Sequence, residues 1–183
     1  MSRRLVVLRH AKSSWPPGVP DHDRPLGPRG VVDARAAGAW IRDHVAPLDH
    51  VVVSSARRTR GTWTLAAGVI GYIGAAGYDV DSPGPLTIDP RVYDASAGTL
   101  VEVLRELPAR VSTALLVGHN PGCADLVDLL AAERDTEAAR LIAAKYPTAG
   151  IAVLDLDVAW TDLDAGTARL TTFVVPRGEL PSD

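Results

Sequence analysis

Three short segments carry side chains suited to phosphoryl chemistry. Arg9-His10-Ala11-Lys12 follows the apolar run Leu5–Leu8, and Ser54-Ser55-Ala56-Arg57-Arg58-Thr59-Arg60 follows Val51–Val53. Gly118-His119-Asn120-Pro121-Gly122 follows Leu115–Val117. Each segment brings a guanidinium, an imidazole or both. The second and third run into helical patterns, whose first free N–H groups favour anions. Imidazole is a nitrogen nucleophile with an ordinary pKa of about 6.5, so it is largely unprotonated near neutral pH. Arginine holds tetrahedral oxyanions through its planar fork of donors. If the three segments meet, they form a site for a phosphoryl group.

Other routes to such chemistry fall away on inspection. There is no Gly-x-x-x-x-Gly-Lys-Ser/Thr loop to cradle a nucleotide. Cys123 is followed six positions on by Leu129 rather than the arginine of a cysteine phosphatase loop. Gly118–Gly122 has the outline of a nucleophile elbow, but Asn120 stands where serine would attack. No His-x-x-x-His pair could seat zinc. Asp155 and Asp157 have the Asp-x-Asp form of aspartate-nucleophile phosphatases, yet no lysine follows Lys145, so a last strand entering a polar turn is the better reading. An imidazole remains.

The surrounding pattern says how such residues would be held. Leu5–Leu8, Val51–Val53, Leu115–Val117 and Ile151–Leu154 are continuous apolar runs, expected of strands covered on both faces. Between them, Val31, Ala34, Ile41 and Val45 share one helical face, as do Leu100, Val103, Leu104 and Leu107. Pro121 suits the first turn of a helix running through Val127 and Leu130. Gly71–Pro85 reads as a loop before a short strand at Leu86–Ile88. The expected architecture is α/β: a three-layer sandwich with a mainly parallel central sheet and helices on both faces. In such sheets ligands bind beyond the carboxyl ends of the strands, where all three segments would lie.

Composition agrees with one ordinary domain over residues 1–183. Hydrophobic residues make up 46% and charged residues 22%, enough for a core and too much for disorder. The single cysteine excludes an intramolecular disulfide framework and a multi-thiolate zinc site. A net charge of −3 argues against a broad nucleic-acid surface. The longest uncharged apolar stretch, Leu65–Tyr78, is too short for a membrane span and rich in glycine. The apolar run after Arg3 and Arg4 is too short for a secretory signal, so a cytoplasmic protein without a membrane partner is expected. No heptad marks a subunit interface.

Four motifs in order resemble the histidine phosphatase superfamily, and within it the SixA-like phosphohistidine phosphatases. They are Leu8-Arg9-His10-Ala11-Lys12-Ser13-Ser14-Trp15, Asp21-His22-Asp23-Arg24-Pro25-Leu26-Gly27-Pro28-Arg29-Gly30, the spacing Ser54, Arg58, Thr62, and Val117-Gly118-His119-Asn120-Pro121-Gly122. The likeness runs from about Leu5 to about Leu130. It implies a phosphoglycerate mutase-like fold and a phosphohistidine intermediate on His10. Arg9, Arg58 and His119 would surround the phosphoryl oxygens, with Arg24 and Ser13 as further binding residues and no metal or cofactor. A protonated His119 would add a donor. Arg57 and Arg60, on another helical face than Arg58, are expected in solvent.

Larger members of the superfamily protonate the leaving group with a carboxylic acid. Asp94 is the candidate here, a turn or helix-entry residue its equal alternative, and Asp23 a weaker choice. Ala11 departs from the usual glycine and would add a methyl beside the nucleophile. The short span from Arg58 to His119 leaves little room for a lid, which implies an open pocket. The resemblance then favours phosphohistidine on a phosphorelay or phosphotransfer protein as substrate. A small phosphate ester is the alternative; a mutase or a silent phosphate-binding module fits less well.

Overall fold

The computed structural model describes residues 2–71, 86–133 and 135–179. Six strands form one mixed sheet: β1 (Arg3–Arg9), β2 (His50–Ser54), β3 (Leu86–Asp89), β4 (Thr113–Gly118), β5 (Ile151–Leu156) and β6 (Ala168–Val174). Their spatial order is β3-β2-β4-β1-β5-β6. The first four in that order are mutually parallel, whereas β5 runs antiparallel to β1 and β6 antiparallel to β5. The helices are α1 (Pro28–His44), α2 (Arg57–Ile70), α3 (Ala97–Arg105), α4 (Gly122–Leu130) and α5 (Glu137–Ala144). This is the expected α/β sandwich; α5 and β6 are elements that apolar runs alone did not reveal.

The continuous apolar strands divide their side chains between two layers, as the two-residue period of a strand requires. In β1, Leu5 and Val7 join Leu100, Leu104, Leu126 and Leu130 of α3 and α4 on one face. Val6 and Leu8 join Ile41 of α1 and Trp63 of α2 on the other. Leu5, Val6, Val7 and Leu8 have no exposed surface, and each such burial contributes about 1.5–3 kcal/mol. Among the described residues, no helix is long and apolar enough to cross a membrane. The loop expected at Gly71–Pro85 lies, beyond Gly71, outside the described residues; β3 begins at Leu86 as expected.

Register brings the three motif-bearing strand ends together. Leu8 pairs with Val117 and Arg9 with Gly118, while Val53 pairs with Val117 on the other side. The sheet thus delivers its first, second and fourth strands to one rim, with β4 between the other two. The Asp-x-Asp alternative belongs to the opposite end. Asp155 accepts from Arg4 Nε at 2.8 Å near the start of β1 and pairs with Arg169 at 3.3 Å on β6, so it braces strands far from His10.

Two close approaches fix what hangs over that rim. A Cβ on Gly30 would lie 2.0 Å from the Lys12 carbonyl oxygen, so only glycine lets α1 pack directly on the loop after His10. Gly27 N donates to the same carbonyl at 2.9 Å. A Cβ on Gly122 would lie 2.4 Å from the Ala95 carbonyl oxygen, so the start of α4 touches the segment that carries Tyr93 and Asp94.

Candidate active site

The rim encloses a cavity of about 490 Å³ lined by His10, Arg58 and His119, with Arg9, Asp21 and Arg24 on its walls. Lys12, Ser13, Trp15, Tyr93, Asp94, Asn120 and Thr148 complete it. His10 and His119 each keep only 7% of their surface exposed, and their ring centroids are 5.2 Å apart. Every residue expected to act on a phosphoryl group therefore reaches one cavity.

His10 has its tautomer set by its neighbour. Nδ1 lies 2.8 Å from the Ala11 carbonyl oxygen, an acceptor, so Nδ1 carries the ring proton and Nε2 keeps a lone pair. Arg58 Nε donates toward that Nε2 at 3.3 Å. Burial holds the His10 pKa down to about 3, and the charges of His119, Arg58 and Arg9 push the same way. Desolvation is the largest of these causes. The ring is an unprotonated nucleophile throughout the neutral range.

Around it, four-residue spacing on α2 puts Arg58 and Thr62 on one face. Thr62 Oγ1 accepts from Ala11 N at 3.0 Å and donates to the Arg58 carbonyl at 2.7 Å, tying the nucleophile's loop to the arginine's helix. Arg57 and Arg60 are exposed, as expected. Arg58 itself is buried, donating from Nη2 to His119 Nδ1 at 3.2 Å. Since Nδ1 accepts, the N–H of neutral His119 is on Nε2 and goes to Ser54 Oγ at 2.7 Å. Burial, and next the Arg58 charge, lower its pKa to about 4. His119 is thus neutral while the cavity holds no anion. Arg9 Nη1 donates to the Tyr146 carbonyl at 2.6 Å, and its buried Nε has no partner among the described residues.

The remaining expectations divide. Arg24 is in the cavity wall, but its donors go to Ser14 O (3.1 Å), Asp21 Oδ1 (2.7 Å) and Ser13 Oγ (2.5 Å), and its guanidinium lies over the Trp15 ring. Arg24 and Ser13 hold the mouth loop together. Asp94 also lines the cavity, exposed and with φ of 53°, a left-handed turn that aspartate tolerates. Helix entry belongs to Ser96, whose Oγ accepts from Thr99 N at 3.2 Å. Asp23 is exposed beside His22 and outside the cavity lining. Ala11 turns its methyl away from the site, into a small cluster with Ala34 and Ala149.

Residues 5–79, which contain Arg9, His10, Arg24 and Arg58, match the model of the histidine phosphatase superfamily (branch 1). A Nakamurella multipartitia protein provisionally named phosphohistidine phosphatase SixA superposes with a TM-score of 0.78 at 31% identity, over 96% of this chain and 97% of that one. The chain belongs to the histidine phosphatase superfamily. By the 31% match it is SixA-like within it; the protein histidine phosphatase SixA, solved with tungstate, shares the fold at a TM-score of 0.72, with 19% identity over 94% of this chain and 97% of that one. An uncharacterized Mycobacterium tuberculosis protein, Rv1276c, is 40% identical over 172 residues, which is 93% of this chain and 100% of that protein.

The site also contains residues to which motif reading assigned no role. Asp21 Oδ2 accepts from Arg58 Nη2 at 2.9 Å and from Tyr93 Oη at 2.8 Å, while Oδ1 takes Arg24. These partners, Arg24 first, hold its carboxyl well below the usual range. Tyr93 stands edge-on to His119, with centroids 5.4 Å apart. The Asp21-x-x-Arg24 spacing was the available signal, but nothing local in it announces a partner on α2.

The neutral histidines make a superfamily site sensitive to acid. In the unfolded chain their pKa is about 6.5, and in the folded one they lie lower, so unfolding takes up protons as pH falls below 6.5. Stability is fully present above that value and declines as pH falls, by about 1.4 kcal/mol per pH unit for each histidine, down to about pH 4 for His119 and about pH 3 for His10. Urea unfolding at pH 7, 6 and 5 should show this decline. Buried His50 adds to it, so the site's share is the part removed in a His10→Ala/His119→Ala double variant. An unchanged slope in that variant would place both imidazoles in solvent.

Proposed function

We propose that the protein is a phosphatase that carries its phosphoryl group on His10 and that its substrate is phosphohistidine on a partner protein. The observation that carries this reading is the Nε2 lone pair of a neutral, buried His10, set among Arg9, Arg58 and His119. In the first step Nε2 attacks phosphorus, the P–N bond to the substrate imidazole breaks, and that imidazole leaves with a proton given by Asp94. Water then attacks phosphorus and returns a proton to the Asp94 carboxylate, the His10–P bond breaks, and phosphate departs, returning the neutral ring. Arg58 and Arg9 stabilise charge on the equatorial oxygens, and a phosphoryl oxygen would give the buried Arg9 Nε the acceptor it lacks. A dianion beside His119 favours its protonated form, which then adds a donor.

Two features support a protein-borne substrate. Trp15 stands 73% exposed at the mouth, a large apolar surface such as partner proteins cover. Asp94, the proposed proton donor, sits in an exposed turn rather than under a lid, a placement adequate for a labile P–N bond and poor for an alkyl ester. SixA itself, with the same fold, has been solved with tungstate, a tetrahedral oxyanion. The test compares turnover of a phosphohistidine-bearing phosphotransfer protein with sugar and nucleotide phosphates, all in excess chelator. Preference for the protein by about tenfold or more in kcat/KM is expected. Preference for a small ester would make the protein a metabolite phosphatase, and loss of activity in chelator would overturn the metal-independent mechanism.

A further inference from the structure

Asp21 is the one carboxylate joined to both buried arginines of the cavity, Arg24 and Arg58, among the described residues. Its carbonyl oxygen accepts from Arg58 Nη1 at 2.6 Å and its Oδ2 from Nη2 at 2.9 Å, so one residue grips two corners of the guanidinium. The remaining edge is turned inward, Nε toward His10 Nε2 and Nη2 toward His119 Nδ1. That inward edge is where a phosphoryl group on His10 would lie.

Asp21 is itself fixed. It opens a single 3-10 turn, Asp21–Asp23, after Pro20. The next residue, His22, bonds Ser55 Oγ at 2.9 Å in the loop leading to α2 and packs edge-on against Tyr93 at 4.9 Å. The carboxylate therefore cannot swing away freely, and half its side chain remains open to solvent at the mouth. A fixed anion that shares Nη2 with an incoming dianion repels it, while holding the arginine in the orientation transfer needs.

We propose that Asp21 is a positioning residue with two separable effects: it orients Arg58 for phosphoryl transfer, and as a resident anion it loosens the hold on product phosphate. The inference rests on the reading in which Arg58 contacts the phosphoryl group. Its signature is that the two effects move in opposite senses when the charge is removed. Asp21→Asn keeps the shape and loses the charge. It should bind inorganic phosphate about five- to tenfold more tightly, the worth of one unit charge several ångströms away in a partly wet site. The same variant should lower kcat by about ten- to a hundredfold, the usual cost of a misaligned catalytic group and slower product release. Asp21→Glu keeps the charge on a longer arm: phosphate affinity should stay within about twofold of wild type while kcat still falls.

The experiment is isothermal calorimetry with inorganic phosphate, alongside turnover of a chemically phosphorylated histidine peptide, on the wild type and both variants. A merely structural role would weaken phosphate binding and turnover together, so equal or weaker phosphate binding by Asp21→Asn overturns the proposal. Unchanged kcat in both variants overturns the positioning half. If Asp21→Asn melts several degrees below wild type, Asp21→Glu decides: tightened phosphate binding there would rule out a charge effect. A wild-type protein that neither binds phosphate nor turns over the peptide overturns the phosphatase reading and this inference together, whereas an active wild type with unresponsive Asp21 variants overturns this inference alone.

Discussion

His10→Ala should abolish turnover, lowering kcat by about 10⁴-fold or more, because no other group in the cavity can form the covalent intermediate. His119 is the nearest alternative nucleophile, but its Nδ1 accepts from Arg58 and its Nε2 is bonded to Ser54. Cys123 is fully buried, with its thiol pushed up to about 12, so it supplies no thiolate. Arg9, Arg58 and His119 remain in the variant, so inorganic phosphate should still bind. Rapid quench with labelled phosphohistidine protein should trap an acid-labile, alkali-stable phosphoenzyme in wild type and none in His10→Ala. A second readout comes from stability: removing a buried neutral imidazole should flatten the decline below pH 6.5. Normal turnover without His10 would end the proposed mechanism, whatever the rest of the cavity looks like.

That His10, Arg58 and His119 share a cavity is legible in the sequence, because a parallel sheet sends all its strand ends to one rim. Position along each strand then decides the rest: Arg9, Ser54 and Gly118 are the last residues of β1, β2 and β4. Spacing also revealed Thr62, four beyond Arg58 as Arg58 is four beyond Ser54, and the structure gives both outer residues a task in holding the inner one's surroundings. What escaped was set by contacts between segments distant in sequence. Arg9 is held by the Tyr146 carbonyl, 137 residues away, and Tyr93 meets Asp21 across 72. Backbone carbonyls carry no residue signature, and an aspartate in a polar loop looks the same whether or not an arginine on another helix faces it. The direction of the Ala11 methyl was hidden for a related reason. Sequence shows which residue adjoins the nucleophile, but which way its side chain points depends on the loop's conformation after β1 ends. β6 was the plainer omission: Ala168 and Leu170 are buried and Arg169 and Thr171 exposed, the alternation of a half-covered outer strand rather than a continuous apolar run.

Arg58→Lys should lower kcat/KM by about 10²–10³-fold while leaving the cavity's net charge unchanged. Three nitrogens of Arg58 have separate duties: Nε toward His10, Nη1 on the Asp21 carbonyl, and Nη2 shared by the Asp21 carboxylate and His119. An ammonium is a single point with three donors and cannot stand at those places together. Its strongest local attraction is the Asp21 carboxylate, so a lysine would be drawn to the mouth and leave the inner edge bare. The positive charge stays close, and burial, the larger cause, still holds His10 unprotonated, so the acid limb of kcat/KM should not move. A large loss without a shifted pH profile is the mark of lost geometry. Arg58→Ala removes the charge as well, and its additional loss beyond lysine measures what charge alone contributes. Should Arg58→Lys retain full activity, paired donors would not matter at this position, and Arg58 would be a neighbour of the transferred group rather than its anchor.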